Sequence, residues 1–434
     1  MSAELSPLPA LNKNGHVAHC NRCLAGLPSS LVEMDSSRMA FSFYCLGTLD
    51  LMGVADTKIS EVERKDWTEW IWAQQARGEH GTGFRPSPFV TTEDPSLSSS
   101  SSKPSGSGSP SYTIPTYTVH TPPNLIMTYA ALQSLAILRD SFDQLDRDGL
   151  VRFLRACQDA DGGFSTTPGC RDSDLRMVYC AFAISSMLGD WRGVDVPRAL
   201  EFIWRCRTYE GGYGQAPFCE AQGGTTYCAL ACLYLAPSSS SSSSHPDVSS
   251  SSHTPSSTST FSQDPSSSSL PPPPPPSPPS PLSPSEHAST LRWLVHTQDA
   301  ASGGFVGRTG KLADACYCFW CGAGIEILGH GDVVDRDALA GFMGRCQYKF
   351  GGIAKAPGEH PDPYHTYLSC AMIAMYPPQN QNQASPLIDP SSKSRPMDEK
   401  REGWAIAGLD PLLNARRETA GWAREKIGGS GPAV

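Results

Sequence analysis

Two kinds of hydrophobic run alternate along this chain. Residues 150–158, 199–207, 290–298 and 338–347 set apolar side chains against charged ones at helical spacing, the pattern of a helix with one face in solvent. Residues 176–188, 225–235, 316–328 and 365–376 are apolar almost all the way round, as in helices with neighbours on every side. The alternation predicts amphipathic outer helices paired with buried inner ones. Glycine pairs recur between them at Gly162-Gly163, Gly211-Gly212, Gly303-Gly304 and Gly351-Gly352, 49, 92 and 48 residues apart. They sit in the echoes QDADGGF and QDAASGGF, and YEGGYGQAP and FGGIAKAP. Taking a Ser/Pro stretch out of the long interval leaves a period of roughly 45 residues, and Gly81-Thr82-Gly83-Phe84 reads as a degenerate fifth copy. Glycines after the amphipathic runs are expected to stop those helices by adopting φ > 0. About six such pairs closed into a ring would bury the inner helices, although the periodicity fits an open solenoid equally well.

Only 39% of the 434 residues are hydrophobic, and the deficit lies in Ser/Pro-rich stretches at 87–123 and 237–285, the second holding the proline run 271–276. Such segments bury too little apolar surface to offset their ordering entropy, so they are expected to be flexible loops within one domain spanning 1–434. A third polar stretch, 379–401, is expected to be another loop. The net charge of −9 argues against nucleic acid as a ligand. The 15 cysteines fall mostly inside apolar helical runs, which predicts buried free thiols rather than disulfides. The first residues, MSAELSPLPALNKNGH, lack a basic-then-apolar leader pattern, and no run approaches the roughly 18 apolar residues of a membrane span. A reducing, cytoplasmic setting is the expectation.

The segments KLADACYCFW and HPDPYHTYL bring an oxygen, a sulfur and a nitrogen ligand together as Asp314, Cys316 and His365. Three mixed ligands suit a zinc ion whose fourth position stays open for substrate; a closed structural site would need one more, which Cys318 can supply. Just upstream, Arg308 and Lys311 sit on a Gly-bounded loop, and with the Tyr317 hydroxyl they can converge on an anion. A diphosphate fits, since Arg offers a planar fork and Lys a point charge; a solvated basic loop is the plain alternative.

The segment 307–320 closely resembles the zinc and diphosphate segment of protein prenyltransferase β subunits, and HPDPYHTYL resembles their second zinc segment. The resemblance covers most of the chain outside the polar insertions. It implies an all-α fold, an α/α barrel (toroid) of helix pairs around a central cavity. It also implies one Zn²⁺ on Asp314, Cys316 and His365, a substrate thiolate attacking C1 of an isoprenoid diphosphate, and stabilisation of the departing diphosphate by Arg308, Lys311 and Tyr317. Carried over by the same resemblance, Tyr44, Tyr129, Tyr179, Gly224, Cys228, Trp320 and Tyr364 fall on the isoprenoid and peptide side, while Asp172 and Arg176 match positions near the peptide carboxylate.

Ala40 stands where farnesyl members of the family carry Trp, Leu368 where they carry an aromatic residue, and Lys355 where they carry a Mg²⁺-binding Asp. Those three exchanges imply the type I geranylgeranyl branch, with Mg²⁺ not required. Gln222 and Asn124 depart from the pattern by replacing family histidines; Gln222, placed at the diphosphate, can donate an amide hydrogen bond but carries no charge. The implied partners are an α subunit in an obligate heterodimer, geranylgeranyl diphosphate, and CaaX-terminated proteins such as small GTPases with X typically Leu or Phe. Residues 409–426 resemble the last helical segment of the type I β subunits. A farnesyltransferase β subunit is the nearer alternative, and a non-catalytic toroid that binds lipid or a partner the more distant one. A terpene cyclase would need a D-x-D-D or D-D-x-x-D motif that the sequence lacks.

Overall fold

The structure, a computed structural model, describes residues 8–26, 29–88, 114–117, 121–237, 280–378 and 403–428. Along them run α1 Lys13–Ala25, α2 Arg38–Leu51, α3 Glu61–Trp72, α4 Leu125–Ile137, α5 Arg147–Cys157, α6 Leu175–Leu188, α7 Val196–Arg205, α8 Gly223–Leu235, α9 Pro284–Val295, α10 Ala315–Ile327, α11 Arg336–Cys346, α12 Pro363–Met375 and α13 Arg417–Gly428. The even-numbered helices from α2 to α12 pack side by side in chain order, and α12 returns to pack on α2. The ring is closed, which settles barrel against solenoid. The odd-numbered helices from α1 to α11 are its outer partners.

Local chemistry starts these helices where they start. Asn124, Asp146, Asp174, Asp195, Asp314, Asp335 and Asp362 each cap the following helix by accepting a backbone N–H in the first turn. Such a cap contributes about 1 kcal/mol. Ser60 and Ser283 form capping boxes with Glu63 and Glu286. The second box begins α9 inside the stretch 237–285, so residues 283–285 belong to a helix start rather than to a loop. At the other stretch, residues 114–117 dock beside a hairpin formed by β1 Gln75–Gly78 and β2 Gly81–Phe84, with Tyr117 N–H donating to Arg77 O at 3.0 Å. Residues 89–113, 118–120, 238–279 and 379–401 of the three expected loops lie outside the described residues.

The glycine pairs do something other than stop helices. α5, α7 and α11 already end at Cys157, Arg205 and Cys346, ahead of the pairs. The first glycine of each pair instead sits at positive φ against the backbone of the next outer helix. At Gly162, φ is 92° and an added Cβ would lie 2.1 Å from Arg198 O on α7; at Gly351, φ is 93° and it would lie 1.8 Å from Gly15 O on α1. Only glycine fits such a conformation at such a distance. Gly81, Gly211 and Gly303 make the same approach to α5, α9 and α11, so the degenerate copy at 81–84 is structurally equivalent to the others. Each repeat is thereby keyed to the next, and Gly351 keys the last outer junction to the first helix.

A second belt ties the inner ring. The N–H groups of Met39, Leu125, Leu175, Gly223 and Ala315 donate to the carbonyls of Pro86, Thr166, Gln215, Gly307 and Lys355, each acceptor three residues past its glycine pair. α12 starts at Pro363, which has no N–H to give. There the hairpin β3 Ile353–Ala354 with β4 Pro361–Asp362 leads into the helix instead. The C-terminal segment runs back under the barrel through the hairpin β5 Leu409–Asp410 and β6 Ala415–Arg416, and α13 packs on α4 and α6. Helix therefore begins only at Arg417 within 409–426. Tyr129 and Gln133 donate to Leu413 O at 2.8 and 3.0 Å, and Tyr227 donates to Pro411 O at 2.8 Å, so the inner helices hold this floor by their own polar side chains.

At the ring closure, buried His16 accepts from Gly352 N–H through Nδ1 and reaches Gln347 Oε1 through Nε2, both at 3.0 Å. Burial pulls its pKa down to about 4. Because the unfolded chain takes up this proton near the ordinary histidine value while the folded one refuses it, stability is present above about pH 6.5 and is lost as the pH falls from there toward 4. Between pH 7 and 5 this amounts to about 2 kcal/mol at 1.36 kcal/mol per pK unit. Urea unfolding at both pH values should show a steeper acid loss for the natural chain than for His16→Gln; equal losses would remove His16 from this role.

Candidate active site

The loop before α10 and the hairpin before α12 bring the three expected ligands together. Asp314 caps α10 through Cys316 N–H at 2.9 Å, Cys316 follows in the first turn, and His365 stands in the first turn of the neighbouring α12. Their ligand atoms all lie within 4.8 Å of one another, with His365 Nε2 3.5 Å from Asp314 Oδ1. Asp362 holds the other side of the imidazole, its Oδ2 2.6 Å from Nδ1, while its Oδ1 accepts His365 N–H at 2.9 Å. A carboxylate on Nδ1 leaves Nε2 directed at Asp314 and Cys316, the orientation a metal-binding histidine needs. Asp362 escaped the sequence reading; its signal was the helix-cap position three residues before His365. Cys318 does not join the cluster, since it is buried behind it and accepts Phe305 N–H at 3.3 Å.

The electrostatics suit a cation. Burial alone would raise Asp314, yet hydrogen bonds from His365 and Cys316 hold it below the usual carboxylate range. Burial pushes the Cys316 thiol up to about 11. Burial alone would lower His365, but Asp314, Asp362 and Cys316 outweigh it and hold the imidazole up to about 11. One soft and two harder donors, kept protonated in part only by one another, will exchange those protons for a divalent ion. The donor set therefore fits zinc.

Beside the cluster opens a cavity of about 370 Å³, within the roughly 300–1,000 Å³ range of small-ligand sites. Ala40, Tyr44, Tyr129, Arg176, Tyr179, Gly224, Cys228, Trp320 and Tyr364 all line it, as do Gln222 and Tyr317. Tyr44 and Tyr364 meet edge-on at 5.3 Å, and Trp320 Nε1–H donates to the Tyr364 hydroxyl at 3.2 Å, which stiffens one wall. Phe43, Ile126, Ala130, Cys180, Gln215, Thr225 and Asn414 complete the lining without having been singled out in the sequence. Inner-helix aromatic and small residues look alike in sequence whether they face the cavity or a neighbouring helix, so periodicity could not sort them.

Several expected residues stand elsewhere. Leu368 is wholly buried in the wall and does not reach the cavity. Asp172 faces away and binds Thr166 through N–H and Oγ1 at 3.1 and 2.6 Å, whereas Arg176 is held by Asp174. Asn124 is spent capping α4. Tyr317 donates to Gln222 Oε1 at 3.3 Å, at the polar end of the cavity. Arg308 is half exposed on the loop before α10, paired with Glu220 at 2.7 Å, and Lys311 and Lys355 are exposed on the loops before α10 and α12. Lys355 is tied to the metal cluster through its backbone, its carbonyl accepting Ala315 N–H at 2.8 Å. None of the three cations lines the cavity itself.

Among the described residues no helix is long and apolar enough to cross a membrane. The family model for the prenyltransferase alpha-alpha toroid domain matches residues 11–414. The chain is 30% identical over 390 residues to the geranylgeranyl transferase type-1 subunit beta of Dictyostelium discoideum, covering 87% of this chain and 94% of that one. It is 29% identical over 387 residues to the protein of the same name in Arabidopsis thaliana, covering 88% and 89%. Among solved structures it is similar to the Candida albicans protein geranylgeranyltransferase-I complexed with GGPP, with TM-score 0.69 and 22% identity over 96% of this chain and all of that one.

Proposed function

Since this chain belongs to the prenyltransferase alpha-alpha toroid family, we propose that it is the β subunit of a type I protein geranylgeranyltransferase, joining a 20-carbon isoprenoid to the cysteine of C-terminal CaaX sequences. One juxtaposition carries the reading. In Cys316-Tyr317 and Tyr364-His365, one residue of each pair belongs to the metal cluster and its neighbour lines the apolar cavity. A lipid seated in the cavity would thus end beside Asp314, Cys316 and His365, the residues that would hold the ion.

Zinc on Asp314, Cys316 and His365 would bind the substrate cysteine as a fourth ligand and lower its pKa toward the thiolate. The remaining work falls to the chain. Asp362 keeps the His365 ring in place. Tyr317, braced by Gln222, presents a hydroxyl to the diphosphate end, and Arg308, Lys311 and Lys355 supply positive charge as the C1–O bond breaks. Gln222 contributes orientation where a histidine would add charge, which leaves Arg308, Lys311 and Lys355 a larger share. Lys355 stands in for Mg²⁺.

A partner subunit fits the surface. Phe218 and Leu312 project almost fully into solvent from the loops before α8 and α10, and Phe350 is 64% exposed. Large apolar side chains exposed on loops suit a protein contact, and an α subunit is the partner we assign to them.

The test is an assay of the chain co-purified with a prenyltransferase α subunit, offering geranylgeranyl and farnesyl diphosphate against peptides ending in Leu and in Ser. Preference for geranylgeranyl diphosphate with the Leu peptide, without added Mg²⁺, is expected; Lys355→Asp should then make the rate depend on Mg²⁺. A natural enzyme that prefers farnesyl diphosphate and requires Mg²⁺ would move the chain to the farnesyl branch.

A further inference from the structure

A second cluster of reactive side chains lies where α1 meets α2, apart from the metal site. Its members are Cys20 and Cys23 on α1, Cys45 on α2, and His19. Cys20 and Cys45 are buried, with 0% and 2% exposure, whereas Cys23 is only partly covered. The Cys45 thiol meets the thiols of both Cys20 and Cys23. His19 Nε2 stands 3.9 Å from Cys23 Sγ, and His19 also lines an open surface cleft with Arg22, Tyr348, Phe350 and His360. A small polar oxidant reaching that cleft meets an imidazole whose far side touches a thiol.

The surroundings select one sulfur of the three as nucleophile. Cys23 alone of the three is only partly covered, and hydrogen bonding from Cys45 pulls its thiol down; burial opposes this, and His19 and Arg22 assist it. The thiols of Cys20 and Cys23, with burial, push Cys45 well up. Exposure alone would choose differently, because Cys170 and Cys219 are the exposed cysteines. Cys170 is pushed up by Asp172.

We propose that Cys23 is a peroxide-reactive thiol and Cys45 its resolving partner, making the α1–α2 junction an oxidation site of this protein. The Cys23 thiolate attacks one oxygen of a hydroperoxide and the O–O bond breaks, leaving Cys23 sulfenic acid and releasing the other oxygen, once protonated, as water or an alcohol. Cys45 sulfur then attacks the Cys23 sulfur; the sulfenic oxygen departs with the Cys45 proton as water, and a disulfide remains. Two thiols supply the two electrons that reduce the peroxide. α2 also carries Ala40 and Tyr44 of the cavity wall, so the disulfide would fasten an outer helix to a cavity-lining one. None of this depends on which lipid the cavity accepts.

The purified full-length chain, reduced and then given one equivalent of hydrogen peroxide, would be alkylated, digested and read by mass spectrometry. A peptide pair linked through Cys23 and Cys45 should dominate the oxidised products, and Cys23→Ser should remove it. Cys45→Ser, or Cys45→Ala should the serine disturb the fold, should leave a Cys23 sulfenic acid that dimedone traps. Oxidation falling first on Cys170 or Cys219, a Cys20–Cys23 link in place of Cys23–Cys45, or no loss of the link in Cys23→Ser would each overturn the proposal.

Discussion

Cys316→Ala should leave the protein folded, with a melting temperature close to that of the natural chain, yet remove its zinc and lower turnover by more than about a hundredfold. The lower bound follows from outer partners of a metal site, whose loss alone typically costs 10–100-fold; a direct ligand does more. Folding should survive because the Asp314 cap, the packing of α10 against α8 and α12, and the wholly buried Cys318 behind the site are all retained. The carboxylate and imidazole left behind make a two-ligand site of much lower affinity. Metal analysis of the purified variant supplies the readout independent of rate. Full activity with no zinc, in the natural chain or the variant, would end the assignment of this cluster.

Ala40→Trp should turn selectivity from the 20-carbon toward the 15-carbon diphosphate by roughly 10- to 200-fold, the discrimination that small steric differences in an apolar pocket can supply. Ala40 lines the cavity next to Phe43 and Tyr44, on a helix whose other contacts are already close-packed. An indole there has nowhere to turn except into the cavity, which should shorten it for the longer isoprenoid. The kcat/KM ratio for the two diphosphates is the measurement. An equal loss for both would mean that Ala40 faces some other part of the substrate.

The pairing of inner and outer helices was legible because burial on every side and burial on one face write different periodicities; their closure into a ring was not, since periodicity serves an open solenoid equally well and the barrel was implied by the family resemblance alone. The Asp314, Cys316 and His365 cluster was legible because the two segments that hold it resemble the zinc segments of the family, and the structure brings the three side chains together. What periodicity could not carry was direction. Asp172 and Asp174 lie two residues apart and both flank Arg176 in sequence, yet only Asp174 holds it. Leu368 is apolar on an inner helix like its neighbours, but it is part of the wall rather than of the cavity. The glycine pairs were visible at once while their purpose was not, since a close approach to a helix from the next repeat leaves no trace beyond the glycine itself.

Because Gly351 and Gly352 meet residues of α1, with Gly352 N–H bonded to His16 across 336 positions, the first helix made is among the last to find its neighbours. A chain emerging from the ribosome at about 5–20 residues per second must carry α1 and the exposed edge of α2 for tens of seconds before α12 exists to cover them. An unfinished arc has two apolar ends that another unfinished arc can cover equally well. The hazard of this architecture therefore falls during synthesis, and any truncation before α12 leaves a chain suited to aggregate rather than a smaller working barrel.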